Sequence, residues 1–145
     1  MAPLHQKKSS RGGAAELFRV LDANLNRARE GLRVLEDTAR FVWDDRSLFT
    51  SLRQSRHALD RATRSAYTKL VSGRESGTDL GRRMAEGKKR NWPGLVAANF
   101  RRAQEALRVL EEYGKVMAPD VSPRFKKIRF HLYVDEKKAL GHLEA

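Results

Sequence analysis

Cysteine is absent from the 145 residues, which excludes a disulfide framework, thiolate catalysis and a cysteine–zinc site. No apolar run is long enough to span a bilayer and no apolar signal segment opens the chain, so the reading is a soluble, cytoplasmic protein without a membrane partner. Histidine is scarce, and His5, His57, His131 and His142 show no metal-ligand spacing, which makes them plain surface or boundary residues. No Gly-x-Ser-x-Gly elbow is present, and no alternating apolar pattern of useful length argues for a sheet. Acids are outnumbered, with 18 Asp and Glu against 30 Lys and Arg, and the net charge of +12 calls for an anionic partner. Charge alone does not distinguish nucleic acid from a small phosphorylated metabolite.

What the chain does have is an internal repeat. Residues 23–36 read ANLNRAREGLRVLE and residues 98–111 read ANFRRAQEALRVLE. Asn24 and Asn99, Arg27 and Arg102, Glu30 and Glu105, Arg33 and Arg108, and Glu36 and Glu111 align at one constant offset. Repeated apolar residues follow from two core-facing helices; repeated polar ones imply a duplication or a task that needs them twice.

The periodicity is helical almost throughout. Leu21, Leu25, Ala28, Leu32, Leu35, Ala39 and Val42 form one stripe, and Val96, Phe100, Ala103, Leu107, Leu110, Gly114 and Met117 form its counterpart. Asp44-Asp45 signals a cap before a second helix that turns Leu48, Leu52, Leu59, Ala62, Ala66 and Leu70 inward. Ser122-Pro123 reads as N-cap and first turn of a fourth helix bearing Phe125, Ile128, Leu132, Ala139 and Leu143. Phe49-x-x-Leu52-Arg53 echoes Phe125-x-x-Ile128-Arg129, so the repeated unit is a helical hairpin. The expectation is an all-α bundle of two duplicated hairpins: a disordered basic tail over 1–13, then one domain over 14–145 with hairpins at 14–71 and 95–145 and a Gly-rich basic linker at 72–94.

The repeated polar residues are spaced three apart, a ladder that winds slowly round a helix turning about 100° per residue. An intrahelical salt-bridge ladder accounts for Glu30, Arg33 and their copies as well as a ligand does. Asn is a poor helix-interior residue whose amide needs satisfying at the edge of a core, so Asn24 and Asn99, with Arg27 and Arg102, read as ligand-facing. The linker run Arg74-Glu75-Ser-Gly-Thr-Asp79-Leu-Gly81 puts a cation for phosphate and a carboxylate for magnesium on one loop. Gly81-x5-Gly87-Lys88-Lys89 only superficially resembles a phosphate-binding P-loop: it is one residue too long, lacks the Ser or Thr, and follows no strand. Lys88-Lys89-Arg90-Asn91-Trp92 is a weak nucleic-acid signal.

The strings LDANLNRAREGLRVLEDTARF, RESGTDLG and AANFRRAQEALRVLEEYGK together resemble a small family of thiamin biosynthesis, found alone or fused ahead of thiamin-phosphate synthase. The resemblance runs from about Leu17 to Leu140 and is to the standalone form. The family's linker reads Arg-Asp and then Asp-Val-Gly; Arg74, Asp79 and Gly81 match, while Glu75 and Leu80 depart. The resemblance implies a hydroxymethylpyrimidine-phosphate kinase that moves the terminal phosphoryl of ATP onto 4-amino-5-hydroxymethyl-2-methylpyrimidine phosphate, with ATP as co-substrate and Mg2+ as the ion. Onto the matching positions this reading places Arg74, Asp79, Arg27 and Arg102 in catalysis and Asp79 on the metal. It places Asn24, Asn99, Arg33, Arg108, Glu30 and Glu105 in substrate or nucleotide binding, the Asn amides pairing with aminopyrimidine edges as they do with adenine. A functional link to thiamin-phosphate synthase and a homo-oligomer are compatible with it. The alternatives are a basic helical nucleic-acid module, which the reading disfavours, and another small helical enzyme acting on a compact anion.

Overall fold

The chain is seen here as a computed structural model that describes residues 13–84 and 90–144. Residues 1–12 of the expected 1–13 tail, and Gly87, Lys88 and Lys89 of the linker, lie outside the described residues. Every regular element among the described residues is helical. The elements are α1 (Ala14–Asp37), continued by one π-helical turn (Thr38–Val42); α2 (Arg46–Thr63); a 3-10 turn (Arg64–Ala66) leading to α3 (Tyr67–Ser72); a short turn at Ser76–Thr78; α4 (Trp92–Met117); and α5 (Ser122–Leu143). The all-α expectation holds. Among the described residues, no helix is long and apolar enough to cross a membrane.

Local chemistry sets the ends of these helices. Asp45 caps α2 by accepting the Leu48 N–H at 3.0 Å, and Asn91 caps α4 by accepting the Gly94 N–H at 2.8 Å. With Pro93 in its first turn, α4 thus takes in Trp92, Pro93 and Gly94, which the sequence reading left in the linker. Ser122 was expected to cap α5. Its hydroxyl instead donates to the Glu111 carbonyl at 2.7 Å, binding α5 to α4.

The π turn corrects the first apolar stripe. Trp43 N–H reaches back five residues to Thr38 O at 3.0 Å, and the extra residue rotates the register. Thr38 and Ala39 stay buried while Val42, expected in the core, is 55% exposed. The second helix is likewise not continuous: a 3-10 turn interrupts it at Arg64–Ala66, and α3 follows with Leu70 buried.

The bundle is a square in which α1 packs on α2 and α4, and α5 packs on α4 and α2. The α1–α4 interface is the most extensive, so the two repeat helices are neighbours. Small residues permit this: Ala28, Ala103 and Ala106 are buried, and a Cβ added at Gly31 would lie 3.1 Å from the Asn99 carbonyl oxygen and 3.3 Å from Ala103 Cβ. Leu25, Leu32, Leu35, Phe100, Leu107 and Leu110 from this pair meet Leu48, Leu52, Leu59, Phe125, Ile128 and Leu132 from the other to form one core.

Each half carries a buried ion pair at the edge of that core. The Glu36 side chain is 2% exposed and takes two hydrogen bonds from Arg56 of α2, at 2.6 and 2.9 Å, with Arg33 3.5 Å away. The Glu111 side chain is 6% exposed and takes Arg129 of α5 at 3.0 Å, with Arg108 at 3.7 Å. Burial alone would raise the Glu36 carboxyl, but the hydrogen bond and charge of Arg56, with Arg33 behind them, outweigh it and hold the group below the usual glutamate range. On the opposite side Asp135 is buried against Ser51, whose hydroxyl donates to both carboxylate oxygens, and burial raises this carboxyl.

Two outcomes follow from this packing. Gly31→Val should lower unfolding free energy by about 1–3 kcal/mol in urea titration, because the added carbons meet backbone rather than a movable side chain. Glu36→Gln should cost about 3 kcal/mol at pH 7 by leaving Arg56 uncompensated. A carboxyl held low when folded stabilises above its unfolded pKa, and that stability is lost as pH falls through its folded pKa. The gap between wild type and Glu36→Gln should therefore narrow as pH is taken from 7 toward 3; a constant gap would refute the ionic account.

Candidate functional site

The close approach of α1 and α4 leaves an open groove along their polar edges, a cavity of about 500 Å³. Asn24 and Arg27 line one side; Asn99, Arg102 and Glu105 line the other, with Arg101 and Arg90 adding charge. Glu30 stands at the rim, exposed, with a carboxylate oxygen 3.7 Å from Arg102. Five of the repeated polar residues, Asn24, Arg27, Asn99, Arg102 and Glu105, thus converge on one place, because the two repeat helices pack against each other.

Arg33 and Arg108 are not among the groove's lining residues. They lie farther along the helices, tied to Glu36 and Glu111. The salt-bridge ladder holds in that part alone, since the described ion pairs show Glu30 facing Arg102 across the interface rather than Arg33 on its own helix.

The two amides are partly committed. Asn24 Nδ2 donates to the Val20 carbonyl at 2.9 Å, and Asn99 Nδ2 donates to the Leu95 carbonyl at 2.8 Å. Arg27 donates to Asn24 Oδ1 at 3.4 Å. Asn24 is therefore a buried amide satisfied by its own helix, with the exposed Arg27 within reach of its oxygen. Asn99, less buried, keeps its Oδ1 without a partner among the described residues. A two-point match with a pyrimidine edge is open to Asn99 more than to Asn24.

A second cavity, of about 640 Å³, adjoins the first and shares Asn24 and Arg27 with it. Its far wall is the loop after α3, which contributes Arg74, Glu75, Ser76 and Asp79. The sequence assigns this loop a cation for phosphate and a carboxylate for magnesium. In the structure Arg74 is held by Asp22 of α1 through two hydrogen bonds, at 2.7 and 2.9 Å, and that partner raises the guanidinium pKa further. Asp22 is buried and has no counterpart in the repeat, where Ala97 stands in its place. The loop is thus pinned at Arg74 while Asp79 stays exposed.

Asp79 Oδ1 accepts the Gly81 N–H at 2.8 Å, a local turn that leaves the other oxygen outward. Among the described residues no group of three or more His, Asp or Glu side chains could hold a metal by itself. One or two loop carboxylates suit a magnesium ion that arrives with phosphates, which completes its own shell with water and substrate oxygens. The donor set fits that use.

Sequence reasoning missed Asp22, Arg56 and Arg129, each of which acts across elements. It also missed the contact of His142 with Asp45, at 2.8 Å, and the stacking of the His142 ring on Trp43 with centroids 4.4 Å apart. The available signal for Asp22 was an acid on the inward side of a helix.

The model of the ThiD2 family matches residues 19–138, which takes in both repeat segments and the loop. Relatives named thiamine-phosphate synthase include those of Thermosynechococcus vestitus (41% identical over 124 residues, 83% of this chain and 34% of the relative) and Synechocystis sp. (40% over 128 residues, 86% and 36%). That of Rhodopirellula baltica is 39% identical over 121 residues, 81% of this chain and 32% of the relative. The chain therefore spans about a third of the length of these curated relatives. No solved structure matches it. The chain belongs to the ThiD2 family, a family of thiamin biosynthesis.

Proposed function

We propose that the protein is an ATP-dependent kinase that phosphorylates 4-amino-5-hydroxymethyl-2-methylpyrimidine phosphate to the diphosphate. The observation that carries the reading is the pair of adjoining cavities that share Asn24 and Arg27, one cationic between the repeat helices and one walled by the Arg74–Asp79 loop. Two phosphorylated substrates need two neighbouring pockets with cations at their junction. Family membership supports the pathway.

In this reading an oxygen of the pyrimidine's phosphate attacks the terminal phosphorus of ATP, a phosphorus–oxygen bond forms, the bond to the ADP oxygen breaks, and ADP leaves. Such transfer depends on positioning and charge neutralisation more than on covalent help. Arg27 and Arg102, from opposite walls, neutralise the phosphates at the junction. Asn24 lies within reach of Arg27, and Asn99 offers its free oxygen to an amino group. Asp22 positions Arg74 over the second cavity. Asp79, with Glu75 beside it, would hold a magnesium ion, whose contribution is to neutralise charge on the ATP phosphates. Arg33 and Arg108, proposed from the sequence as binding residues, serve the buried glutamates instead, and Glu30 and Glu105 shape the groove rim.

A thermal-shift panel tests the ligands. ATP with magnesium, and separately the pyrimidine phosphate, should each raise the melting temperature, since a ligand at about 100 times its Kd adds close to 3 kcal/mol. A panel in which neither nucleotide nor pyrimidine shifts the transition would reject the reading. With ADP release as readout, Asp79→Asn should lose most turnover, keep the fold, and weaken the magnesium dependence of ATP binding. Near-normal turnover with unchanged magnesium dependence would reduce the loop to a connector. Asp22→Asn and Arg74→Gln should show similar losses in kcat/KM, and the double variant little more than either, because the two act as one unit.

A further inference from the structure

On the side of the bundle opposite the α1–α4 groove, α2 and α5 enclose a separate cavity of about 490 Å³. Arg61 of α2 and Arg124 and Lys127 of α5 line it, with His131 and Gln54, and among the described residues no carboxylate lines it. None of these three cations makes an ion pair with another described residue, whereas Glu36, Glu111 and Asp22 each engage an arginine elsewhere. Asp135, whose charge reaches His131, is turned into the bundle and bound by Ser51.

A second observation comes from the lining of the same cavity. Ser55 is 3% exposed, lines the cavity, and its hydroxyl has no hydrogen-bond partner among the described residues. A buried hydroxyl is ordinarily satisfied, and like charges gathered across a groove repel unless an anion lies between them. Three uncompensated cations around an unpartnered hydroxyl match what a phosphate group needs: charge to neutralise it and a neutral donor to orient it.

We propose that the α2–α5 groove is a second anion site that takes a phosphate or diphosphate group of a small molecule, independently of the α1–α4 groove. The cations neutralise the oxygens from both helices, so occupancy draws α2 and α5 together and stabilises the fold. The site stands apart from the kinase reading and does not need it.

Isothermal titration with inorganic pyrophosphate, without magnesium or nucleotide and at fixed ionic strength in sodium chloride, tests it. The Arg61→Gln/Lys127→Gln variant should weaken one binding event at least tenfold and keep its melting temperature without ligand. The Arg27→Gln/Arg102→Gln variant should retain that event. Ser55→Ala should weaken it several-fold, and the amides of Ser55 and Arg61 should shift in nitrogen–proton spectra during titration. Unchanged binding in the Arg61→Gln/Lys127→Gln variant would overturn the proposal. So would binding lost only with Arg27 and Arg102, or an oligonucleotide that binds through Arg61 and Lys127 where pyrophosphate does not.

Discussion

The close approach of α1 to α4 is the constraint on which the rest depends. At Gly31 there is room for a hydrogen and not for a methyl without pressing on the Asn99 carbonyl. With Ala28, Ala103 and Ala106 buried around it, the helices meet backbone to backbone. Larger residues here would separate the pair, and the groove holding Asn24, Arg27, Asn99 and Arg102 would lose its opposing walls. The same contact puts α2 and α5 on the outer corners, where Arg56 and Arg129 can reach the buried glutamates.

Those glutamates explain part of the repeat in structural terms. Glu36 and Glu111 are both buried and both answered by an arginine from the partner helix of their own half. Breaking such a pair is costly, because one charge remains buried without a partner, which accounts for a glutamate at both positions. The repeat therefore serves two ends along one ladder. Its N-terminal rungs, Asn24 and Arg27 with their copies, face the groove. Its C-terminal rungs, Arg33 and Glu36 with theirs, clamp the hairpins.

The two halves are alike without being interchangeable. Asp22 pins Arg74 in the first half, and Ala97 stands at the matching place in the second. Aligning the hairpins by Phe49 and Phe125 sets Arg53 against Arg129, yet the arginine that reaches Glu36 is Arg56, one turn farther on. The π turn at Thr38–Val42 belongs to the first half as well. The extra loop cavity arises where this asymmetry is greatest.

Helical periodicity, the constant-offset repeat and the capping residues were enough to determine an all-α chain and most of the inward stripes. These are local or strictly periodic signals, and helices obey them. Val42 escaped because one π-helical turn shifts phase without changing composition. Ser122 escaped because a hydroxyl at a helix start has more than one acceptor within reach. The partners of Glu36, Glu111 and Arg74, the commitment of the Asn amides to their own backbone, and the cationic α2–α5 groove were decided only by tertiary structure. Which of many arginines meets a given carboxylate depends on helix rotation and on the distance between axes. Here those are set by small residues at one interface far from the charges themselves.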